Sequence, residues 1–245
     1  MKLTKTVKYN YKLTEKTLER DIDKFIYNAR RGDFSWDYKY RGIGLKIIRQ
    51  YFRILKEKLD NQEYEESKIC YEKLILFLFD ASCGNDKADF GYEDLLAKIS
   101  DDFDQYVLNY FICLVKTCDI EELAERVSRY ASHLDVYGFD SDKDILLENL
   151  DESELKNLEA RMLIKTEGMT KKDQDKQNII HFLMSIAEMR EDKEKYLQLC
   201  ERVKDILTNK EFEYLKGEYE ENRLLENGIE EKIGEIKTKK EPSRK

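Results

Sequence analysis

Apolar residues recur every three or four positions through most of this chain, a spacing that predicts helices rather than strands. Leu18, Ile22, Phe25, Ile26 and Ala29 place a first helix over 14–31, with Thr14 as its cap and Gly32 as its stop. Ile47, Ile48, Tyr51, Phe52 and Leu55 place a second over about 43–59, with Lys46, Arg49, Arg53 and Lys56 on its outer side. A break at 60–63 leads to a third helix over 64–82, whose acidic start suits the positive end of a helix dipole. Its unbroken apolar run from Leu74 to Phe79 predicts burial nearly all round. Further helices fit 92–99, 101–117, 119–134, 142–150, 152–166, 171–190 and 193–208, and Asp119 with Glu122 has the spacing of a capping box. Residues 210–236 read as a polar helix weakened by three glycines.

Helices of about 15–20 residues joined by short polar links are the pattern of stacked antiparallel helix pairs. The expected fold is all-α: nine to eleven helices in an irregular, α-solenoid or TPR-like stack. Gly84–Gly91 and Tyr137–Asp142 are the candidate hinges, and both are short. Residues 1–236 are therefore expected to form one elongated domain, and 237–245 a disordered basic tail.

The stretches LKEKLDNQEYEESKICYEKLILF and AEMREDKEKYLQLCERVKDIL look like two repeat junctions, each a helix, a polar turn and a second amphipathic helix. In this they resemble tetratricopeptide-like helical repeats. Residues 43–150 are more loosely similar to the helical region downstream of SWIM-type zinc fingers in bacterial proteins. The chain lacks the cysteine and histidine signature of that finger, so its metal and nucleic-acid functions do not carry over. The resemblance implies a scaffold or partner-binding role.

Charge changes the picture most. Residues 1–58 hold 16 Lys/Arg and 7 Asp/Glu, and the last nine hold 5 basic residues and 1 acidic. These segments are +9 and +4; with the whole chain at −8, residues 59–236 are left with −21. Such asymmetry bears on partners. Gly is scarce at 10 and proline is limited to Pro242, which disfavours sheets and dinucleotide folds. No apolar run approaches the roughly 18 residues that span a bilayer. The start, MKLTKTVKYNYKL, lacks the apolar core of a signal peptide, so the expected location is cytoplasmic. Cys70, Cys83, Cys113, Cys118 and Cys200 form no CxxC pair and read as reduced, mostly core residues.

The leading candidate site is the basic aromatic segment: Arg30, Arg31, Trp36, Tyr38, Lys39, Tyr40, Arg41, Arg49 and Arg53. Cations and rings so mixed suit a partner's acidic surface or single-stranded nucleic acid. Glu63, Glu65 and Glu66 are the candidate acidic docking surface. Asp140 to Asp144 alternate acids as a calcium loop does, with Asp151 at the twelfth position. Ile145 stands where that loop needs glycine, so capping and a turn are expected instead. His133 and His181 are expected to be packed or surface histidines. No nucleophile elbow, Walker loop or GxGxxG occurs, and no catalytic residue, metal or cofactor is assigned. The expected function is a non-enzymatic helical adaptor or regulatory subunit that binds a protein. The alternatives are a nucleic-acid-binding accessory protein of a bacterial or phage system, and an acidic inhibitor that mimics nucleic acid. No membrane partner is expected, and a homo-oligomer is possible.

Overall fold

Regular secondary structure is helical throughout the described residues. The structure, a computed structural model, describes residues 13–35, 41–134, 139–169, 174–204, 212–214 and 216–217. These hold ten helices, and the protein is all-α, as its periodicity predicts. The chain divides into two compact units, Met1–Gly168 and Met169–Lys245. Among the described residues, no helix is long and apolar enough to cross a membrane.

The first unit opens with α1 (Leu18–Arg30). Thr17, not Thr14, caps it, accepting from the Arg20 amide. Thr14 is drawn elsewhere: its amide and hydroxyl donate to Asp21 Oδ1 at 2.7 and 2.8 Å. Asp21 is buried and also accepts from the Tyr51 hydroxyl at 2.8 Å. Local spacing cannot show this competition, because Tyr51 arrives from α2 (Arg41–Asp60). Gly32 ends α1 as expected, at φ 91°.

The α2 helix turns into α3 (Tyr64–Ser82) through three residues. The apolar run of α3 is buried at Leu74, Ile75, Phe77, Leu78 and Phe79. Then come α4 (Leu95–Ile99), α5 (Asp104–Thr117), α6 (Ile120–Ser132), α7 (Asp140–Asn149) and α8 (Glu152–Glu167). Asp119 caps α6 through the amides of Glu121 and Glu122. Glu122 does not complete the box, because its carboxylate is taken by Arg126 and Lys68. A full capping box forms instead at α8, between Asp151 and Glu154.

Neighbours in this unit are mostly next-but-one in sequence: α1 packs on α3, α3 on α5, and α5 on α7, while α2 meets α4 and α6 meets α8. The α2 and α3 helices also pack as a pair. Rings fill the space between them. Phe52 stacks on Tyr106 with centroids 3.8 Å apart, and Phe79 meets both Tyr130 and Phe139. Burying such rings is the main apolar contribution of a core built this way.

The second unit contains α9 (Gln174–Met189) packed on α10 (Lys193–Val203). Their helically spaced apolar residues are buried: Ile179, Ile180, Leu183, Met184 and Ile186 on one, Tyr196, Leu199, Cys200 and Val203 on the other, while Leu207, which continues the second spacing, lies outside the described residues. The helix expected over 210–236 and the tail at 237–245 lie outside the described residues, apart from 212–214 and 216–217.

Candidate functional site

The basic stripe of α2 follows from its spacing. Lys46, Arg49, Arg53 and Lys56 sit at i, i+3, i+7 and i+10, one helix face about 15 Å long. All four are exposed, opposite the buried Ile47, Ile48, Tyr51, Phe52 and Leu55. Their duties differ. Arg49 donates from Nε to the Ile99 carbonyl at 3.0 Å, and from Nη2 to the Lys98 carbonyl. It thereby satisfies the C-terminal end of α4, whose carbonyls lack helical partners. Lys56 pairs with Asp60 at 2.9 Å. Lys46 and Arg53 have no hydrogen-bond or ion-pair partner among the described residues.

Other members of the predicted basic segment are also divided. Arg30 holds Asp86 with a contact of 2.7 Å and lies 5.9 Å from the Phe77 ring centre. Burial pushes the Asp86 carboxyl up, but hydrogen bonds from Arg30 and the Ala88 amide outweigh it and leave the pKa lowered. Arg31 lies 5.6 Å from the ring of Tyr27, an exposed tyrosine. Trp36, Tyr38, Lys39 and Tyr40, and the side chain of Arg41, lie outside the described residues.

The predicted acidic surface at the start of α3 is paired. Lys58 contacts Glu63 and Glu66 at 2.7 Å each, and Lys68 contacts Glu65 at 2.9 Å. Burial alone would lower the Lys68 ammonium, yet its hydrogen bonds to Glu65 and Glu122 leave it raised and charged. Lys68 begins a charged network that periodicity does not reveal. Glu72, nearly buried on α3, receives Arg126 at 2.6 Å and Arg129 at 3.4 Å from α6, and the Tyr110 hydroxyl at 3.3 Å from α5. Arg126 also holds Glu122 at 2.8 Å. Burial and then Glu72 push the Tyr110 phenol far up, so it stays protonated and donates. Every charge here faces an opposite one, which makes the network a fastening between helices rather than a reactive centre.

The acids at 140–144 form no loop, because Asp140–Asn149 is helix. Asp142 is fully buried, accepts from Tyr130 at 2.7 Å and pairs with Lys143 at 2.8 Å. Burial raises its pKa, opposed by Lys143. Among the described residues, no group of three or more His, Cys, Asp or Glu could hold a metal ion.

Two clefts of the first unit are lined by described residues. The smaller, about 330 Å³, lies beside Tyr27 and Phe77; its Lys73 is bound by Glu19 and Asp23, and its Arg30 by Asp86. The larger, about 550 Å³, lies between the end of α3, the residues before α4 and the end of α6. Phe79, Leu95, Leu134 and Phe139 line it with Glu93, Asp94, Cys83 and His133. His133 caps α6, its Nδ1 2.8 Å from the Arg129 carbonyl and its Nε2 3.7 Å from Asp80. His181, in the second unit, has a buried Nε2 with no partner among the described residues, and burial lowers its pKa.

Comparison with known proteins returns no match: no family model fits the chain, and no curated protein or solved structure matches it.

Proposed function

We propose that this protein is a non-enzymatic helical adaptor or regulatory subunit that binds a protein partner through the basic face of α2. The observation that carries the reading is the division of labour on that face. Arg49 and Lys56 are committed to the protein's own carbonyls and carboxylates, while Lys46 and Arg53 are exposed and unpaired among the described residues. Like charges aligned on one helix face repel one another slightly, and folding gains nothing from them. An acidic partner surface would relieve that repulsion and use them for selection.

The next-but-one packing of α1, α3, α5 and α7 supports a degenerate, TPR-like repeat module as the scaffold. The acids at the start of α3 carry less of the reading, because Lys58 and Lys68 already pair them. The test is fluorescence anisotropy against labelled single-stranded RNA, single-stranded DNA and duplex DNA, at low and moderate salt. The adaptor reading expects no binding at moderate salt. Micromolar or tighter binding that weakens steeply with salt, and is lost in Lys46→Glu/Arg53→Glu, would overturn it in favour of a nucleic-acid-binding accessory protein.

A further inference from the structure

The larger of these two clefts has an amphipathic lining with carboxylates at its edge. Phe79, Leu95 and Leu134 are buried beneath it, and Phe139 stacks on Phe79 at 5.9 Å. Glu93 and Asp94 stand at its edge, both exposed, and no lysine or arginine is among the described residues that line it. Asp94 gives Oδ1 to the Ala97 amide as the cap of α4, which leaves Oδ2 for another partner. Glu93 has no ion-pair or hydrogen-bond partner among the described residues.

An anion would be repelled from this edge, and a wholly apolar ligand would cover the carboxylates without pairing them, which is unfavourable. A long cationic side chain fits both parts. Its stem lies on the phenylalanine and leucine wall, and its charged head stays at the wet rim beside the carboxylates. Aromatic rings in the wall add attraction for the cation. At about 550 Å³ the cleft has room for more than one side chain.

We infer that this cleft is a docking site for a basic peptide segment of a partner protein, in which a bulky apolar residue lies next to lysine or arginine. The apolar residue packs on Phe79 and Phe139, and the cation pairs with Glu93 and Asp94. This face is distinct from α2, so the two proposals stand or fall separately.

Cys83 on the cleft wall supplies the test. It is the exposed cysteine; Cys70, Cys113 and Cys200 are buried, and burial pushes the Cys70 and Cys113 thiols up to about 12. The full chain is alkylated with iodoacetamide, and modification of Cys83 is followed by peptide mapping. The probe is the capped peptide Gly-Leu-Lys-Phe-Arg-Gly, with Gly-Leu-Glu-Phe-Glu-Gly as the acidic control and hexylamine as the small-cation control. The basic peptide is expected to slow Cys83 roughly tenfold at about ten times its Kd, by mass action, while the acidic peptide leaves the rate unchanged. Glu93→Gln/Asp94→Asn keeps a competent cap at position 94 and is expected to weaken the basic peptide about tenfold. Equal protection by both peptides, protection by hexylamine to the same extent, no protection by either peptide, or an unchanged response in the double variant would overturn the inference. An unchanged rate for Cys83 in the unliganded double variant shows that the cleft itself is intact.

Discussion

Gln62 and Glu191 occupy the same place in two copies of one turn. Each has a left-handed backbone, at φ 63° and 58°, and each is the middle one of the three residues between one helix and the next. The amide of Gln62 bonds the Leu59 carbonyl, and that of Glu63 the Lys58 carbonyl; Glu191 and Asp192 repeat the pattern onto Glu188 and Ala187. This is the paired bonding of a Schellman stop, usually built on glycine. Both turns join consecutive antiparallel-packed helices, and the two share one backbone geometry.

A side chain in that conformation is strained, and glycine is not. Gln62→Gly and Glu191→Gly are each expected to raise stability by about 0.5–1 kcal/mol, whereas alanine at either site gives no such gain. Urea unfolding of the four single variants measures this. A loss with glycine at both sites would contradict the assigned turn geometry.

The contact of Glu72 with Arg126 at 2.6 Å joins α3 to α6. Glu72→Gln is expected to cost about 2–3 kcal/mol, because Arg126 and Arg129 keep their charge in a partly buried place. Glu72→Leu/Arg126→Leu should cost less than the sum of its single variants. Denaturant midpoints of the three proteins make the comparison.

Acid should release the same network. Hydrogen bonds from Arg126 and then Lys68 hold Glu122 below 4.5, its ordinary value. The unfolded chain therefore binds this proton more readily than the folded one. The stabilisation from Glu122 is complete above pH 4.5 and is lost as pH falls through the lower folded value. Glu122→Gln is expected to flatten the stability profile in that acid window and leave its slope at neutral pH unchanged. Chemical unfolding from neutral pH down to the acid limit of folding follows it.

The cations of α2 should separate in a stability assay. Arg49→Met removes the donors that satisfy Ile99 and Lys98, and is expected to cost about 1–2 kcal/mol. Lys46→Ala and Arg53→Ala, which break no contact among the described residues, are expected to fall within about 0.5 kcal/mol of the parent. Similar losses at all three positions would remove the distinction on which the proposed interface depends.

Helix identity and the buried faces were legible because periodicity reports them locally: the stripes of α2, α9 and α10 are buried where spacing places them. Cap positions were less so. Thr14 has the chemistry of a cap, but Asp21 and Tyr51 reorganise that end through a contact 30 residues apart in sequence. Glu122 fits a capping box by spacing, yet two cations from outside the turn claim it. The same limit applies to the candidate site. Sequence shows that Arg30, Arg49 and Arg53 are basic and near one another, but not that Asp86 holds the first and α4 the second. The cleft edged by Glu93 and Asp94 brings together segments up to 60 residues apart, and no local pattern marks it.

The central claim is that Lys46 and Arg53 recognise a protein. The most direct measurement is quantitative capture from nuclease-treated extract of the source cells, comparing the parent protein with Lys46→Glu/Arg53→Glu. The proposal predicts an acidic protein retained by the parent in stoichiometric amount, released by salt, and lost in the double variant while its unfolding midpoint is unchanged. Recovery of the same proteins, in the same amounts, by both forms would contradict it.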